Sequence, residues 1–163
     1  MVTVKRLNTK TMFNLANYKK ALNKQIPKMI NNSAGIVIMD IKSGINYGRD
    51  IDGKPMKPLS EFTILEKRKH GSKTPRVALS DTGTMKKTYI KKRATASNPS
   101  AHITIAQKRL DPDNIAKYHQ EGGKKAGRPP QRKWFGISKT AHKRIKRLFE
   151  LSLAKELKRN WGM

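Results

Sequence analysis

Arg128-Pro129-Pro130-Gln131-Arg132-Lys133-Trp134-Phe135-Gly136-Ile137-Ser138 is the stretch in which local signals are densest, and the fold reads outward from it. Pro129 and Pro130 hold φ at about −65° and favour an extended approach, so Arg132, Trp134 and Phe135 are delivered to a fixed place. Adjacent aromatics in an extended segment face opposite ways, which sends one ring inward. Both rings are therefore core or interface anchors, and a stiff segment carrying Arg128, Arg132, Trp134 and Phe135 suits a subunit interface. Ser138 is a good N-cap for a helix predicted from Lys139 to about Asn160. Ala141, Ile145, Leu148, Phe149, Ser152, Leu153, Leu157 and Trp161 trace its inner stripe, and Gly162 follows as terminator.

Upstream, Asp111-Pro112-Asp113 opens a short helix predicted through Tyr118, with Asp111 capping, Pro112 in the first turn and Gly122-Gly123 at its end. Tyr89 to Thr95 and Ala101 to Ala106 read as strands joined through Ser97-Asn98-Pro99-Ser100, as in a hairpin. Asp81-Thr82-Gly83-Thr84 is a turn leading into a short helix or strand. Ser60 to Lys69 reads as a short basic helix with Ser60 as N-cap and Glu61 in its first turn. Gly44 to Leu59 is loop, centred on the turn Asp50-Ile51-Asp52-Gly53-Lys54-Pro55, and Gly71 to Pro75 is another. Gly53 and Gly83 are predicted to take positive φ in these turns.

Leu15, Tyr18, Leu22, Ile26, Met29 and Ile30 give residues 14–32 a helical period. Pro27 interrupts it and predicts two helices or one kinked helix. The second part either continues to Ser43 or, through its β-branched residues, becomes a strand. Residues 1–10 read as a basic arm and residues 11–163 as a single domain. The fold class is α+β: an N-terminal helix or kinked helix pair, a small antiparallel sheet and a long C-terminal helix.

Charge sets the partners. Lys and Arg number 37 against 11 Asp and Glu, a net +26 over 163 residues. Such a chain repels itself, and a polyanion would relieve it: nucleic acid first on charge alone, an acidic protein surface second. A hydrophobic content of 36% is lean, which predicts arms or loops ordered against neighbours. Between Gly122 and Phe149 there is no acid and there are ten cations. Lys124, Lys125, Lys139, Lys143, Arg144, Lys146 and Arg147 are the candidate contacts for DNA or an acidic surface; a merely solvated helix face is the alternative.

The patterns that carry chemistry are missing. The chain has no cysteine, which excludes disulfides, thiolate metal sites and a thiol nucleophile. His70 has Glu66 one helical turn away and no third ligand in view; a solvated i,i+4 pair explains the spacing as well. Asp50-Ile51-Asp52-Gly53 opens like a calcium loop, yet Lys54 and Pro55 stand where a ligand and a glycine belong, so it reads as a polar turn. His119 near Glu121 could be drawn as an acid–base pair but reads better as a partly buried histidine. No nucleophile elbow or phosphate loop occurs, and dispersed carboxylates do not suit a magnesium nuclease. No enzyme, cofactor, metal, small-molecule substrate or membrane span of about 20 apolar residues is expected. No signal-peptide stretch opens the chain, which predicts a protein that stays in the cytosol where it is made.

Four pieces then follow one another in a telling order. They are Asp52-Gly53-Lys54-Pro55-Met56-Lys57-Pro58-Leu59-Ser60 with Thr63 and a basic stretch; Leu79-Ser80-Asp81-Thr82-Gly83-Thr84-Met85 with Tyr89-Ile90; Ile115-Ala116-Lys117-Tyr118-His119-Gln120-Glu121-Gly122-Gly123; and Arg128 to Ser138 running into the last helix. Over about residues 45–160 this resembles the phage virion-morphogenesis (tail-completion) proteins, the group typified by the G protein of Mu-like phages. Met56 replaces that family's usual Trp, Met85 its Leu, Ile115 its Tyr, and Trp134-Phe135 its Phe-Leu. The resemblance implies an α+β fold without catalysis and a homo-oligomeric ring, six-fold by its position on a tail, at the head–tail junction or tail top. It also implies other neck and tail proteins as partners, with DNA in the central channel as a further candidate, and a place in the virion after assembly in the host cytoplasm. Sequence-nonspecific nucleic-acid binding is the competing expectation.

Overall fold

The computed structural model describes residues 9–80, 83, 85–105, 112–122 and 129–161. Its elements are α1 (Thr9–Asn46), α2 (Glu61–Lys69), β1 (Thr88–Lys92), β2 (His102–Ile105), α3 (Pro112–Glu121) and α4 (Lys139–Trp161). This is the α+β arrangement expected: a long N-terminal helix, a two-stranded antiparallel sheet and a long C-terminal helix.

Pro27 lies inside α1, which runs as one helix of 38 residues. A mid-helix proline costs about 3 kcal/mol, and packing further along offsets it. Met29, Ala34, Val37, Ile41 and Ile45 are all buried and recur at helical spacing, so the β-branched run lines one helix face rather than forming a strand. The helix starts at Thr9, so Thr9 and Lys10 belong to it and not to a separate arm; residues 1–8 lie outside the described residues.

α4 follows its predicted span and packs along α1. Ser138 caps it, its Oγ accepting the Ala141 amide at 3.0 Å. The expected stripe faces inward: Ala141 is fully buried, and Ile145, Leu148, Phe149, Ser152, Leu153 and Leu157 are half-buried. One polar residue joins it. Glu156, 4% exposed, accepts the Gln25 side-chain amide at 3.2 Å. That bond ties the last turns of α4 to the first half of α1, while Ile41 and Gly44 of α1 share a small cavity with Ser138 and Thr140. The two helices are therefore antiparallel.

The hairpin pairs Thr88 with Ile105, Tyr89 with Thr104 and Ile90 with Ile103, with a bulge before the Lys92–His102 pair. Both strands are shorter than expected. A long-range clip fixes the hairpin to α1: Asn31 Nδ2 donates to the Ala94 carbonyl at 3.0 Å, and its Oδ1 accepts the Ala94 amide at 2.8 Å. α2 has its Ser60 cap, the Thr63 amide donating to Ser60 Oγ at 3.3 Å. Its Lys67 is buried, and the ammonium donates to the carbonyls of Val77 (2.8 Å), Thr74 (3.3 Å) and Ser80 (3.4 Å), closing the 71–80 loop over itself. α3 runs to Glu121, three residues past the expected end; its expected cap Asp111 lies outside the described residues. Gly53 and Gly83 take the predicted positive φ, 80° and 74°.

The core joins distant pieces: Val37, Ile41 and Ile45 of α1, Met85, Ile105 of β2, Ala116 of α3, and Trp134. Met56, Leu79, Ile103, Phe135 and Ile145 pack around it.

Candidate functional site

The extended segment 129–138 is the hub to which the other motif pieces attach. The Ile51 amide donates to the Lys133 carbonyl at 2.8 Å, docking the Asp50–Pro55 turn on it. The turn is held by its own aspartate: Asp50 Oδ1 accepts the amides of Lys54 (2.7 Å) and Asp52 (3.0 Å). This is the polar turn expected, its carboxylate engaged with backbone. The Arg132 side chain reaches the same loop, Nε donating to the Lys57 carbonyl at 3.1 Å and Nη2 to that of Pro58 at 3.3 Å.

From the other side comes α3. Gln120 Oε1 accepts the amides of both Trp134 and Phe135 at 3.0 Å, and its Nε2 donates to the Phe135 carbonyl at 3.0 Å. The Arg132 amide donates to the His119 carbonyl at 2.6 Å. Where α3 ends, Gly122 has φ 73°, and a Cβ there would meet the Gln131 backbone nitrogen at 2.8 Å. Only glycine allows both the turn and this close approach.

These contacts correct the interface expectation for two residues. Trp134 is 2% exposed and Arg132 3% exposed; this chain's own turn, α3 and core enclose them. Neither presents itself to a neighbour. Phe135 is half-buried, edge-on to Trp134 with centroids 5.4 Å apart. Arg128, Lys124 and Lys125 lie outside the described residues. Lys139, Lys143, Arg144, Lys146 and Arg147 are exposed along α4, and among the described residues only Lys146 meets a carboxylate, Glu150 at 3.8 Å. His70 and Glu66 form the expected solvated pair at 3.9 Å, beside a Lys69–Glu66 contact at 2.7 Å.

Gln120 and Lys67 are structural residues that the sequence did not single out. An amide next to a histidine in a short helix has no local signature for clamping a segment fifteen residues on. Tyr47 after α1, Phe62 on α2 and Leu151 on α4 are exposed outside the hub, and Ile137 is exposed at the hub's end, just before α4.

His119 stands against the guanidinium of Arg132, Nδ1 to Nη1 at 3.3 Å. Arginine can only donate, so Nδ1 accepts and the neutral ring carries its proton on Nε2. Burial first, and then the Arg132 charge, push its pKa down to about 4. Between pH 6.5 and 4 the unfolded chain binds a proton at this site that the folded chain refuses. Stability from this group is thus full above pH 6.5 and falls as pH drops toward 4. The loss is about 2 kcal/mol, below the full value of the shift because part of the ring remains hydrated. Urea titrations across this pH window should show that decline in the native chain and a flatter profile in His119→Gln.

No protein-family model, curated protein or solved structure matches this chain.

Proposed function

We propose that the chain is a structural component of a tailed-phage neck, acting in tail completion and head–tail joining by assembling into a ring. The observation that carries this reading is convergence. The four pieces that resemble the tail-completion proteins are far apart in sequence, yet the described parts of all four pack as one unit around Trp134. Residues 53–59 supply the carbonyls for Arg132, Met85 and Leu79 pack into the core, Ala116 and Gln120 hold the hub from α3, and the hub leads into α4. Pieces that build one scaffold are expected to keep their order and spacing, whereas chance matches have no reason to meet.

With Arg132 and Trp134 enclosed, ring and neck contacts fall to exposed side chains such as Tyr47, Phe62, Ile137 and Leu151 and to the basic face of α4. A second reading, sequence-blind binding of nucleic acid, is favoured by that exposed basic face. Negative-stain images of purified protein and of virions carrying it separate the two. Rings, or density at the neck, support the first reading; beads along nucleic acid with no neck density overturn it in favour of the second.

A further inference from the structure

The side of the α1–α4 pair away from the hub holds an open groove of about 360 Å³, lined by Asn17, Lys20, Ala21, Lys24, Gln25 and Lys28 of α1 and by Glu156 and Arg159 of α4. We infer that this groove binds a nucleic-acid backbone. The inference rests on the second reading above and gives it a place other than the α4 surface that the sequence pointed to.

Three observations carry it. The first is charge: four cations line the groove against one carboxylate, and that carboxylate, Glu156, is buried at the floor and takes the Gln25 amide. The second is regularity. Lys20, Lys24 and Lys28 are exposed and recur every fourth residue, so they form one ridge with steps of about 6 Å. Adjacent phosphates of one B-DNA strand are about 7 Å apart in space, within the play of lysine side chains. Arg159 faces the row from the other helix and offers a planar fork suited to phosphate. The third is composition. Among the described residues the wholly apolar side chain in the lining is Ala21, and none is aromatic. A protein partner would need a desolvated apolar or aromatic anchor, and base stacking would need a ring. A row of cations with amide donors at Asn17 and Gln25 suits phosphates read without regard to sequence.

The test compares two charge deletions on the full chain. One is the groove variant Lys20→Gln, Lys24→Gln, Lys28→Gln. The other is the α4 variant Lys143→Gln, Arg144→Gln, Lys146→Gln, Arg147→Gln. Glutamine keeps helix propensity close to that of lysine and arginine, and circular dichroism checks that each variant folds. Binding to a labelled random-sequence DNA duplex is followed by anisotropy between about 50 and 200 mM salt, the range over which phosphate contacts show their salt dependence. The groove variant is expected to lose about three units of slope in log K against log salt and about tenfold or more in affinity. The α4 variant, although it removes more charge, is expected to lose less, and Lys20→Arg, Lys24→Arg, Lys28→Arg to restore the slope. If the α4 variant loses the slope and the groove variant keeps it, the site is overturned while the second reading stands. If the unmodified chain ignores the duplex at low salt, or binds polyglutamate in its place, both are overturned.

Discussion

Trp134→Ala is expected to cost the fold about 3–5 kcal/mol, the range for truncating a fully buried large aromatic. Trp134 belongs to a core drawn from distant elements: Val37, Ile41 and Ile45 of α1, Ile105 of β2 and Ala116 of α3 gather in one cluster with it. Its indole Nε1 also points to the Ala116 carbonyl at 3.5 Å. Removing the ring leaves a cavity at the meeting point of α1, β2 and α3, so the surroundings cannot close over it cheaply. For a domain of ordinary stability, about 5–15 kcal/mol, this is a fifth of the total or more. Urea unfolding of the variant measures it. A loss under about 1 kcal/mol would mean that Trp134 is not enclosed by its own chain and is free to serve an interface.

Arg132→Met is expected to cost about 2–3 kcal/mol although it keeps most of the side chain's volume. The carbonyls of Lys57 and Pro58 lose their donors together, the buried site of Arg132 is left without its polar partners, and His119 loses the hydrogen bond on Nδ1. Arg132→Lys should fall between the two, because an ammonium keeps the charge but cannot span both carbonyls as a planar fork does. The methionine variant should also let the His119 pKa rise toward its ordinary value, since a neighbouring positive charge is gone. Unfolding measured at neutral pH and near pH 5 separates the two effects: a smaller pH dependence in Arg132→Met than in the native chain is the expected mark of the lost charge.

What could be read from the sequence was what local chemistry decides. Ser138 and Ser60 cap the helices that follow them, the spacing from Ala141 to Leu157 gives the buried face of α4, and Gly53 and Gly83 take positive φ. Three matters depended on distant residues and were not legible. Pro27 argued for a break in α1, but the buried face from Met29 to Ile45 holds the helix through it. The residues 132–135 were visibly anchors, yet whether the anchor sits in this chain or in a neighbour was decided by the Asp50–Leu59 turn and by Gln120. The sequence points to α4 for the basic surface, because cations run together there. The row on α1 is diluted by apolar residues in sequence and becomes a row only when the helix brings every fourth residue to one side.

The central claim is that this chain works as one copy among several in a ring, and copy number tests it most directly. Native mass measurement or particle averaging of neck assemblies containing the chain should give a closed ring of several copies, six by the resemblance to the tail-completion proteins. A single copy per neck, or assembled necks that lack the chain altogether, would contradict it.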